Sequence, residues 1–150
     1  MRATDWVEVS AVDIVFSHEA ASIIMGNDVN EKHFLIHVSI ETGSLLLNLF
    51  QKQHFKRPDT FTLLVNAVTS LGGAIESIRI NDMINGVFFA KIVLRRGNNL
   101  VTLDARASDA IALSVIDGVP IQAPRALLEK ISWVDTQKAN AHNRAKNFVL

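Results

Sequence analysis

The apolar residues change period along this chain, and that change constrains the fold more than any single motif. Over Trp6–Phe16, "WVEVSAVDIVF", apolar and polar residues mostly alternate. Alternation predicts a half-buried strand, because successive strand side chains point to opposite faces. A bulge is expected near Ser10–Ala11, where the alternation slips. "ASIIMGND" reads as a short strand entering a turn at Gly26-Asn27-Asp28, and "HFLIHVSI" as a third strand with Phe34, Ile36, Val38 and Ile40 on one face. From Glu41 the period becomes helical. "ETGSLLLNLFQKQ" places Leu45, Leu46, Leu49 and Phe50 on one face, and Pro58 bounds that helix. Asp59 or Thr60 caps a second helix, "TFTLLVNAVTSL", with a stripe of Leu63, Leu64, Ala67, Val68 and Leu71 and a stop at Gly72-Gly73.

Strands then return. Ile78 and Ile80 share a face, Asn85-Gly86 favours a tight turn, and "VFFAKIVLRR" and "NLVTLDAR" flank "GNN" as an antiparallel hairpin. "SDAIALSVIDG" is a short helix with Ser108 as N-cap, Asp109 in the first turn and Gly118 at the stop. "VPIQA" is a last short strand, and Pro124 opens a final helix, "PRALLEKISWV". This order predicts an α+β fold: one domain over residues 1–135, a mixed or antiparallel sheet, and helices packed against it. Residues 136–150 form a basic tail with three bases and no acids.

Several classes are excluded. No apolar run approaches the ~20 residues that span a bilayer, so no membrane is expected. The start, "MRATDWVEVS", lacks the apolar core of a signal peptide. Zero cysteines leave no disulfide, thiolate metal site or cysteine nucleophile, and a cytoplasmic location is the simplest expectation. Formal charge is zero, but residues 1–31 carry six acids against Arg2, leaving fourteen bases and nine acids in the remainder. That distribution is either a modest basic face or a solvated surface. The apolar content and the tail lead to an expectation of a homo-oligomer.

The motifs are few. Neither a phosphate loop nor a nucleophile elbow is present. His33 and His37 lie four apart on a strand, about 13 Å, too far to share one ion, and read as ordinary strand histidines. "FKRP" is either a solvated loop or a nucleic-acid contact, with Lys56 and Arg57 meeting phosphates. "LDARASDAIAL" is the stronger cluster. Asp104 ends a strand, Arg106 follows, and Asp109 starts a helix. Such carboxylates can hold Mg2+ or Mn2+ beside a phosphate. Equally, Ser108 and Asp109 can cap the helix while Arg106 pairs with Asp104 or Asp109.

"LDARASDAIAL" resembles the signature of the bifunctional nuclease (BFN) domain family, approximately Asp-Ala-Arg-Pro-Ser-Asp-Ala-Ile-Ala-Leu, from which only Ala107 departs. "LLVNAVTSLGGAIESIRINDMINGVFFAKIVL" and "GVPIQAPRALLE" agree in order and spacing, and the similarity runs from about Val7 to Ile131. The resemblance implies an α+β fold and hydrolysis of DNA or RNA with little sequence preference. Asp104, Arg106, Ser108 and Asp109 carry over directly, and Glu41 matches the acidic residue that opens the family's first helix. Arg57, Pro58 and Thr60 match its Arg-Pro-x-Thr. On that basis Asp104, Asp109 and Glu41 would hold the divalent ion, Arg106 and Arg57 would stabilise charge on the phosphorane, and Ser108 and Thr60 would contact nucleic acid, joined by Lys56 from "FKRP". After that threonine the family commonly has His-Asp; this chain has Phe61 and Thr62. The alternative is therefore a weak or inactive module that binds nucleic acid or a protein partner.

Overall fold

The structure, a computed structural model, describes residues 5–27, 33–52 and 56–131. Asp28, His54, Phe55, His142, the end of the last predicted helix and the tail 136–150 lie outside the described residues. Three strands, β1 (Trp6–Phe16), β2 (Ala21–Gly26) and β3 (His33–Val38), precede two helices, α1 (Ile40–Phe50) and α2 (Thr60–Ser70). Then come β4 (Ala74–Ile84), β5 (Val87–Arg96), β6 (Asn99–Arg106), α3 (Ala107–Asp117), β7 (Ile121–Pro124) and α4 (Arg125–Lys130). The strands form one sheet in the order β3-β2-β1-β7-β4-β5-β6, antiparallel throughout except for the parallel pair β4–β7. The expected α+β fold with a mixed sheet is what forms.

Local chemistry explains most boundaries. The bulge in β1 falls between Ala11 and Asp13, just beyond the slip in alternation. Asn85 and Gly86 both take positive φ (52° and 77°), the geometry that matches a two-residue hairpin to strand twist. Ile40 is not on β3. Ser39 ends the strand and caps α1, its Oγ accepting from the Thr42 N–H at 3.1 Å. The buried side of α1 is centred on Gly43 and Leu46, with Leu47 and Phe50 packed alongside. A methyl group on Gly43 would collide with Ala21 Cβ, so glycine sets how closely α1 sits on β2.

The stripe expected on α2 faces outward. Leu63, Leu64 and Leu71 are 61%, 44% and 72% exposed, and the residues packed on the core are Phe61 and Val65. This helix is apolar around most of its circumference, so periodicity alone did not identify the packing face. Phe61, the largest apolar group in its first turn, takes the inner side.

α3 is the central helix. Ala107, Ser108, Ala110, Ile111, Ala112 and Leu113 are buried, and the helix touches α1, α2 and strands β3, β4, β5, β6 and β7. The small alanines allow that close approach. Phe34 on β3 and Phe88 on β5 have ring centroids 5.5 Å apart. Four strands separate β3 from β5 in the sheet, which would hold them roughly 24 Å apart if it were flat. The sheet therefore curls around α3 and brings the β3 edge to the β4–β5 hairpin.

Candidate functional site

That curl creates the site. A cleft of about 420 Å³ opens where three chain junctions meet: the end of β3 with the start of α1, the β4–β5 turn, and the step from β6 into α3. Its polar lining is His37, Ser39, Thr42, Arg106 and Ser108.

The β6–α3 step departs from expectation. Ser108 is not the N-cap. Arg106 occupies that position, with φ −71° and ψ 149°, and no side chain caps the helix. The strand runs directly into the helix, leaving no loop residue free to turn its side chain back onto the first N–H groups. Ser108 falls within the first turn, where it is only 8% exposed and its hydroxyl makes no hydrogen bond to another described residue. Ala107 stands where the family signature has proline, so this helix start also carries an N–H that proline would lack. Uncapped N–H groups at the positive end of a helix dipole suit an anion. Ser108 lines the same cleft.

The two aspartates go to separate partners. Asp104 faces Lys91 across the β5–β6 ladder, with Nζ to Oδ1 at 3.3 Å. Asp109 accepts two hydrogen bonds from Arg106, from Nε to Oδ2 and from Nη2 to Oδ1, both at 2.8 Å. Those bonds, and the attraction of the carboxylate, raise the Arg106 pKa above its ordinary value. Of the two bridges open to Arg106, the one to Asp109 is the one the geometry contains. Asp104 is not among the residues lining the cleft.

The remaining expected site residues lie elsewhere. Glu41 is exposed on the first turn of α1, and the cleft residue on that turn is its neighbour Thr42. Lys56, Arg57 and Thr60 are exposed at the entry to α2, outside the cleft lining. Asp59 caps α2, its Oδ1 accepting from the N–H groups of Phe61 (2.9 Å) and Thr62 (3.0 Å) and its Oδ2 from the Thr62 hydroxyl (2.8 Å). Burial works to raise its pKa, but these hydrogen bonds outweigh it and hold the carboxyl below its ordinary value. Both positions that depart from the family's His-Asp thus have structural uses: Phe61 packs on the core and Thr62 completes a cap.

Among the described residues, no three His, Asp or Glu side chains come close enough together to hold a metal ion. Asp104 and Asp109 each face a cation instead. The expected Mg2+ or Mn2+ donors therefore do not fit as a set. The cleft's own groups, a guanidinium, three hydroxyls, an imidazole and helix N–H donors, suit an anion such as phosphate. His37, Ser39 and Thr42 were missed because nothing local marks them. They join the site through the sheet's curl.

A model of the Bifunctional nuclease domain family matches residues 23–136. An uncharacterized protein of Mycobacterium tuberculosis is 33% identical over 72 residues, which is 48% of this chain and 42% of the relative. Bifunctional nuclease 2 of Oryza sativa subsp. japonica is 31% identical over 86 residues, covering 55% of this chain and 26% of the relative. Bifunctional nuclease of Oryza minuta is 27% identical over 94 residues, covering 60% and 28%. The chain thus matches less than half the length of each of these relatives.

Proposed function

This chain belongs to the bifunctional nuclease domain family, and from that premise we propose that it hydrolyses phosphodiester bonds of DNA or RNA in the cleft at the start of α3. The observation that carries this reading is the uncapped N-terminus of α3, with buried Ser108 and charged Arg106 on one cleft wall. Arg106 and the first N–H groups of α3 bind the non-bridging oxygens and stabilise the charge that grows on them. Ser108 donates a further hydrogen bond, and Asp109 holds the guanidinium in orientation. Lys56, Arg57 and Thr60, at the entry to α2, contact neighbouring phosphates of a longer strand. No step is assigned to a divalent ion, because the described donors do not form a set for one.

The test is cleavage of labelled single- and double-stranded DNA and RNA by the purified protein, with Mg2+, with Mn2+ and with a chelator. Cleavage that Arg106→Ala abolishes is the expected result. No cleavage of any substrate under any condition overturns the reading.

A second reading has its own observation. Phe61 and Thr62 stand where the resemblance implies His-Asp, and both serve the fold. A binding module without catalysis would give a salt-dependent gel shift and no products. Among the described residues no helix is long and apolar enough to cross a membrane. A cytoplasmic setting fits the cysteine-free sequence. Self-association draws support from the exposed Leu63, Leu64 and Leu71, and light scattering tests it.

A further inference from the structure

The nuclease reading leaves a gap: a proton must leave the attacking water, and no residue assigned so far takes it. We infer that His37 is the catalytic base of this site and that Ser22 is its positioning residue. The inference rests on the nuclease reading and deepens it.

His37 lies near the end of β3, the edge strand, and lines the same cleft as Arg106 and Ser108. Its Nδ1 lies 2.8 Å from the Oγ of Ser22, directly opposite on β2. This is the ring's one hydrogen bond among the described residues, so Nε2 has no described protein partner. A hydroxyl both donates and accepts, so Ser22 can hold either neutral tautomer of the ring and also accept from the imidazolium. That suits a group that takes a proton and returns it.

The step balances within the site. Water gives a proton to Nε2 as its oxygen bonds to phosphorus. The P–O bond to the leaving sugar oxygen breaks, and its electron pair stays on that oxygen, which takes the proton back from the imidazolium. Arg106 and the α3 N–H groups bear the phosphorane charge meanwhile. Among the described residues, the charged or titratable groups on the elements around His37 include His33, about 13 Å back along the same face of β3, Asp13 on β1, His18 and Glu19 in the β1–β2 turn, Glu41 on the first turn of α1, and the Arg106–Asp109 pair. Of the side-chain types in the cleft lining, only histidine ordinarily changes charge between pH 5 and 8.

The test compares wild type, His37→Gln, Ser22→Ala, Ser22→Thr and Arg106→Ala on labelled single-stranded DNA and RNA, reading kcat, KM and the pH profile. His37→Gln should lower kcat by about 10²–10³-fold with KM within about twofold, and should remove the acid limb of the pH profile. Ser22→Ala should lower kcat by about tenfold at unchanged KM, and Ser22→Thr should restore it, which general damage to the fold would not produce. Independently, side-chain NMR should show the His37 resonances moving when inorganic phosphate is added to wild type and not to Arg106→Ala. If wild type and Arg106→Ala behave as the nuclease reading expects while His37→Gln keeps its kcat and pH limb, the role of His37 is overturned and the nuclease reading stands. If wild type cleaves nothing, both fall.

Discussion

Arg106 and Asp109 form a two-pronged ion pair across the first turn of α3, with both N···O distances at 2.8 Å. The pair fixes the plane of a guanidinium whose side chain is otherwise 78% exposed beside the cleft. Exposed pairs contribute at most about 1 kcal/mol to stability, so its main effect is orientation. Arg106→Ala should therefore lower kcat/KM by about 10²-fold or more, while denaturant unfolding moves by no more than about 1 kcal/mol. Arg106→Lys should recover little, because an ammonium lacks the two-pronged geometry. Recovery of full activity by lysine would show that charge alone matters there.

Asp104 gives a contrasting expectation. It faces Lys91 and its side chain is 72% exposed. Asp104→Asn should leave activity and its dependence on Mn2+ concentration unchanged. A shift to higher Mn2+ requirement would assign this carboxylate to a metal and reverse the present assignment.

Ala107 offers a trade between stability and binding. Arg106 before it is already extended, as a residue preceding proline must be, and the first helical N–H has no partner within the helix. Ala107→Pro should thus meet no backbone strain, but its ring enters a site that is 4% exposed, so urea unfolding should show at most a small net gain. It should also weaken phosphate binding in a competition assay, because one donor is lost. Equal or tighter binding would remove that N–H from the site.

Asp59 makes α2 sensitive to acid. Its folded-state pKa is lowered, so its stabilisation is present above the ordinary aspartate value of 3.8 and is lost as pH falls through the lower folded value. Asp59→Ala should cost about 1 kcal/mol at pH 7. Asp59→Asn should retain most of the cap and flatten the loss of stability below pH 3.8. An unchanged acid limb in the asparagine variant would place the sensitivity elsewhere.

Much of this architecture was legible in the sequence. Alternation located β1 and β3, Asn85-Gly86 located the hairpin, and Asp59 was one of two named caps. The long motif around Asp104–Asp109 pointed to the family. Two readings failed, each for its own reason. α2 has apolar residues on more than one face, and Ser108 had the chemistry of a cap but not its place, because β6 continues into α3 without a loop.

The sequence by itself determined the elements, because strand and helix periods, turn residues and capping are interactions among near neighbours in the chain. Only the tertiary structure decided the site. Phe34 meets Phe88 because the sheet curls around α3, and the same curl joins His37, Ser39 and Thr42 to Arg106 and Ser108, some seventy residues later in the chain. No local period encodes that meeting. It depends on which apolar faces bury together, and that is settled only when the whole core packs.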